Sequence, residues 1–141
     1  MAHYTQYFDY HVDLLKEFKD SIQKHPPYHK SLADLTETDI AVMAALDALC
    51  RYEHCTEQMI ERGQWLIERI VSGYNELMPL LSRDLLWFFG GDSLHYMPDD
   101  EIRFYQQLDE LRYAAESQDR PFDIVAAKTY LQQQVREAPG A

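Results

Sequence analysis

Residues 82–101, SRDLLWFFGGDSLHYMPDDE, constrain the fold most, because they join the densest apolar run of the chain to its clearest stops. Leu85, Leu86, Trp87, Phe88 and Phe89 are contiguous, and each gains roughly 1.5–3 kcal/mol on leaving water. Such a run has to sit in a core or in an interface. Ser82 can cap a short helix through residue 89, and Gly90 with Gly91 supplies the left-handed stop with which helices commonly end. Pro98, followed by Asp99, Asp100 and Glu101, reads the opposite way: a proline in a first helical turn, with acids at the positive end of the helix dipole.

The same reading along the rest of the chain predicts only helices. Tyr4, Phe8, His11, Leu15, Phe18 and Ile22 recur at steps of three and four, a stripe that Tyr7 and Leu14 widen and that Pro26 and Pro27 end near residue 25. Residues 28–39 are polar, with Ser31, Thr36 and Thr38 available as caps, and read as a loop with one turn around 32–35. From residue 39, Ile40, Met43, Leu46, Leu49 and Cys50 form a face, and Val42, Ala44, Ala45 and Ala48 make the segment apolar nearly all round, as in a helix central to a bundle. Met59, Ile60, Leu66, Ile67, Ile70, Val71, Tyr74, Leu77 and Met78 continue the pattern to Pro79. A join near Cys55 and Thr56 is favoured over a single helix of about 40 residues.

Beyond Pro98, Phe104, Leu108, Leu111 and Ala115, flanked by Ile102 and Tyr105, predict a helix that stops before Arg120 and Pro121. Ile124, Ala127, Leu131 and Val135 predict the last helix, over residues 123–136, ahead of a frayed tail at 138–141. No segment alternates with period two. The expectation is an all-α fold, a compact bundle of five or six helices in one domain covering residues 1–141.

A chain of 141 residues that is 46% hydrophobic and 13% aromatic can fill a core without a disulfide or a structural metal. Its 24 acidic and 13 basic residues give a net charge of -11, which repels a phosphate backbone and permits contact with a basic protein surface. Unassisted nucleic-acid binding is therefore not expected. No window approaches the ~20 apolar residues of a membrane span, and residues 1–13 show no leader pattern, so a cytoplasmic protein without membrane contact is expected. Cys50 and Cys55 are five apart, about 140° around a helix, which argues against a bridge or a two-cysteine metal site.

Residues 88–94, FFGGDSL, resemble the phosphopantetheine attachment motif of acyl and peptidyl carrier proteins, where a serine after Gly-Gly-Asp opens a helix and bears the prosthetic arm. The resemblance implies a modified Ser93. It covers only this stretch and departs from the pattern on both sides: the phenylalanines abut the glycines, and Pro98 follows soon after Ser93. A helix stop followed by an Asp-Ser turn accounts for the same residues and is the favoured reading.

His11, His54, Glu57 and His95 are the candidate ligands of an alternative reading, a bundle that holds a metal or small ligand between its helices. The Glu-x-x-His steps of di-iron bundles are absent; His54-x-x-Glu57 has the reverse order and Asp92-x-x-His95 falls in a predicted loop. Glu53, Glu57 and Glu61 read first as an outward acidic stripe, and His11 as a core-edge histidine satisfied by a tyrosine or a carbonyl. Without GxSxG, GxxxxGK, HExxH or CxxC, the sequence leans away from an enzyme, and no cofactor is expected. Ten tyrosines exceed what a core of this size requires, and Tyr and Trp are enriched in protein interfaces. The leading expectation is a non-enzymatic protein that acts by binding another protein or a copy of itself, a homodimer, through Trp87, Phe88, Phe89, His95 and Tyr96.

Overall fold

The computed structural model describes residues 2–137, with side chains for residues 6–31 and 33–134. The side chains of Tyr4 and Val135, and the tail predicted at 138–141, lie outside what is described. The class is all-α: among the described residues there are six α-helices, three short 3-10 stretches and no strand, slightly more than the five or six helices expected. The α-helices are α1 (Ala2–Ile22), α2 (Glu37–Leu49), α3 (Glu57–Gly73), α4 (Arg83–Phe89), α5 (Asp99–Ser117) and α6 (Ile124–Glu137). Two compact units are formed, one of Tyr10–His95 and one that joins residues up to 9 with residues from 96 onward.

In the unit of residues 10–95, α2 opens with a reciprocal cap. The Asp39 N–H donates to Thr36 Oγ1 and the Thr36 N–H donates to the Asp39 carboxylate, each at 3.0 Å, so two N–H groups that the helix cannot satisfy are bonded at once. This cap fixes where α2 starts. Asp39, Val42, Leu46 and Leu49 are buried, at helical steps of three and four. The face predicted from Ile40 is therefore rotated by about one residue: Ile40 remains 46% exposed, Ala41 and Ala44 are exposed as well, and α2 is not covered all round.

Residues 39–78 form two helices rather than one. α3 begins after Thr56, whose hydroxyl accepts from the Met59 N–H at 3.1 Å, so the break falls where composition placed it and Cys55 lies in the intervening loop. Both cysteines are free. α3 buries Met59, Gly63, Leu66, Ile67 and Ile70 and packs against α2, α4 and the 3-10 stretch Asn75–Leu80. Pro79 does not end it, as the sequence suggested; α3 stops at Gly73, and Pro79 sits inside the following 3-10 stretch. α1 contributes Val12, Leu15, Phe18 and Ile22 to the buried set and ends at Ile22, before the residue-25 limit that the prolines implied.

In the other unit α5 packs against α6. Pro98 is the N-cap of α5 rather than part of its first turn, which Asp99, Asp100 and Glu101 occupy. Tyr105, Leu108, Ala115, Phe122, Ile124 and Leu131 are buried, whereas Phe104 and Leu111 are half-buried. The Arg112 guanidinium lies 4.1 Å from the Tyr7 ring centre and 4.7 Å from that of Tyr113, and it bonds Asp109 and Glu116 along its own helix. Among the described residues, no helix is long and apolar enough to cross a membrane.

Candidate functional site

The aromatic corner that the sequence singles out is largely built into the protein. α4 is capped by Ser82, whose hydroxyl accepts from the Asp84 N–H at 3.2 Å, and it buries Asp84, Leu85, Leu86 and Phe89. Phe89 fits against the bare backbone of Gly63, and Gln64 Nε2 donates to the Phe89 carbonyl at 2.9 Å. Gly90 and Gly91 both take φ +65°, the left-handed stop expected of them. Phe88 is half-buried and stacks on the His11 ring, with centres 4.4 Å apart and planes at 16°. Tyr10 meets the edge of His11 and donates its hydroxyl to the buried Asp84 carboxylate. Burial first, and then the bond to Asp84 and its charge, push the Tyr10 phenol up.

Of the predicted contact residues, Phe89 is thus a core residue, and Trp87 and Phe88 are half-buried. His95 is exposed, as is Tyr96, which belongs to the other unit. The five do not share a surface of one unit.

Ser93 is buried, and its hydroxyl faces the carbonyls of Gly90 at 2.6 Å and Leu86 at 3.0 Å, to which it donates. The carrier-type reading needs a hydroxyl presented to solvent at a helix start; here it closes the turn after α4, inside the 3-10 stretch Gly91–Tyr96. Ser93→Ala is accordingly expected to cost about 1 kcal/mol, the usual worth of one buried hydrogen bond, read as a lower urea midpoint at unchanged slope. An unchanged midpoint would show the bond to be dispensable.

The four residues of the metal reading are dispersed by environment. His11 is 1% exposed among aromatic rings, whereas His54, Glu57 and His95 are exposed. Among the described residues no group of three or more His, Cys, Asp or Glu side chains is placed to hold a metal ion.

An open groove with a mixed apolar and polar lining lies instead between α2 and α3. A groove of about 420 Å³ is lined by Ala41 and Ala45 of α2 and by Gln58, Glu61, Arg62 and Trp65 of α3. Trp65 is 39% exposed and Ile40 46% exposed, both large apolar side chains left in water. The cause lies in the two registers. Asp39, Val42, Leu46 and Leu49 take the inner face of α2 and leave Ile40 outside it, and the stripe Met59, Leu66, Ile67 and Ile70 fills the inner face of α3 without Trp65. Arg62 and Arg69 fold their guanidinium groups over the rings of Tyr52 and Trp65, each 5.9 Å from the ring centre. Trp65 carried a readable signal, since it stands off the stripe of its own helix. Ile40 did not, because the sequence of α2 is apolar on nearly every side.

A family profile described as PA2817-like matches residues 3–139. Neither the curated proteins nor the solved structures hold a match to this chain. Because the matched span takes in residues of both units, from the start of α1 to beyond α6, the chain belongs to the PA2817-like family.

Proposed function

We propose that this is a non-enzymatic, cytoplasmic helical protein that works by binding another protein through the α2–α3 face. The observation that supports it is the partial exposure of Trp65 in a groove that Ala41 and Ala45 also line, and of Ile40 on the same helix as those alanines, while the inward faces of both helices are filled by other residues. Neither side chain is needed to complete the buried set, and both gain from leaving water, Trp being the residue type most often found as an interface anchor. The occupant that fits is an apolar anchor on a segment with basic flanks. With -11 on each chain, two copies repel one another, whereas a cationic partner is drawn in.

Ile40→Glu and Trp65→Glu are expected to cost about 0.5–1.5 kcal/mol each, because both side chains are more than half covered and Trp65 also carries the Arg69 guanidinium, yet to leave the protein folded. Each should lower retention of the co-purifying partner by at least about tenfold, with retention by wild type also falling as salt rises. Native mass spectrometry of the untagged protein reads both effects. Equal retention by wild type and both variants would sink the proposal.

A further inference from the structure

A second cavity, of about 500 Å³, opens in the same unit where the end of α3 approaches the Pro26–Pro27 turn, away from the groove under Trp65. Its volume lies within the ~300–1,000 Å³ typical of small-molecule sites. Pro26 and Pro27 give it an apolar wall, Tyr74 a ring, and Asp39, Glu76 and Lys30 its charges. Asp39 is 7% exposed, and its carboxylate accepts from the Tyr74 hydroxyl at 2.6 Å and from the Thr36 N–H at 3.0 Å. A carboxylate has about four acceptor positions, so capacity remains on a charge already fixed in place. The cavity also meets the C-terminal turn of α3, where carbonyls run out of intrahelical partners and the helix dipole is negative. Lys30 is the one basic side chain among the lining residues, and its charge favours the ionised Asp39.

We infer that this cavity binds a small organic cation, an ammonium or amidinium-type group carried on a flat apolar body. The charged end lies toward Asp39 and the last turn of α3, with the body against the prolines and the Tyr74 ring; a ring face and a fixed carboxylate both favour a desolvated cation. Lys30 competes for the same field, so its removal helps the ligand. An anion would need Lys30 and would be repelled by Asp39 and Glu76.

Benzamidine and benzoate, alike in shape and opposite in charge, separate these cases by isothermal titration calorimetry on the full chain. Benzamidine is expected to bind wild type, benzoate is not, and Lys30→Ala should bind benzamidine about two- to fivefold more tightly. Gly73 lines the cavity, and a Cβ added there meets nothing within 4 Å. Gly73 is exposed and takes a side chain without a clash, so Gly73→Leu is expected to narrow the mouth of the cavity and weaken benzamidine at least about tenfold with the melting curve retained. The inference is overturned if benzamidine fails to bind at about 10 mM, if benzoate binds in its place, if Lys30→Ala weakens benzamidine, or if a folded Gly73→Leu protein binds it as wild type does. None of these results depends on the groove under Trp65, so the two sites stand or fall separately.

Discussion

Gly63→Ala is expected to destabilise the protein by about 2–3 kcal/mol, although the same change in an open helix stabilises it by about 1 kcal/mol. The difference lies in what the new methyl group meets. A Cβ at Gly63 falls 2.2 Å from Cδ1 and Cε1 of Phe89, far inside van der Waals contact. The ring has little room to withdraw: Phe89 is 3% exposed and stands edge-on to Phe88, with centres 5.1 Å apart, and Phe88 in turn stacks on His11. Relief of the clash must therefore move several packed rings or separate α3 from α4. Thermal unfolding followed by circular dichroism should show Tm lower by roughly 7–10 °C. The double variant Gly63→Ala, Phe89→Leu should recover part of that loss, a non-additivity expected only of residues in contact. An alanine variant as stable as wild type would mean that α4 is not seated on α3 in this way.

The second large effect is expected at Asp39, where Asp39→Ala should cost about 2–3 kcal/mol at neutral pH. One carboxylate completes the reciprocal cap of α2 and accepts the Tyr74 hydroxyl, while its backbone carbonyl accepts the Tyr28 hydroxyl at 2.8 Å. Tyr28 and Tyr74 stack with ring centres 6.2 Å apart. Burial pushes the Asp39 carboxyl up, but the bonds from Tyr74 and Thr36, with the Lys30 charge, outweigh it and hold the group below its ordinary 3.8. The same contact, added to burial, pushes the Tyr74 phenol up to about 12. Because the folded carboxyl value is depressed, its contribution is in force above 3.8 and is lost as pH falls through the folded value. The stability gap between wild type and Asp39→Asn should therefore be constant near pH 7 and shrink as the solution is taken below about pH 4. Urea midpoints across that range measure it, and a gap that widens in acid contradicts this account of the carboxylate.

Most of the fold was legible because it is written in local chemistry. The Gly90–Gly91 stop, the break at Thr56 and the turn after Ser31 are each decided within a few residues, by φ or by a side-chain oxygen in reach of a free N–H. What escaped the sequence was set at longer range. The faces of α2 could not be ranked by hydrophobicity, since Ile40 and Val42 are equally apolar; the face that is buried carries Asp39, whose carboxylate is bonded by the distant Tyr74. Phe89 looked like a possible anchor for a partner until Gly63 supplied the hollow that takes it. The cavity beside Asp39 gathers residues from the Pro26–Pro27 turn, the start of α2 and the end of α3, with no shared spacing to betray it.

The Arg112 clamp has a consequence for the order in which the protein can form. Tyr7, beneath the guanidinium, and Phe122, whose ring centre lies 6.3 Å from that of Tyr7, bring the two ends of the described chain into one unit. Residues 10–95 are contiguous and can complete their contacts once they have left the ribosome, as domains generally do during synthesis. The unit held by Tyr7 has to wait for α5 and Phe122, keeping its first segment without its partners for most of translation and closing the longest loop in the protein last. A nascent chain from which residue 95 has just emerged would therefore carry one finished unit and one that still lacks most of its residues.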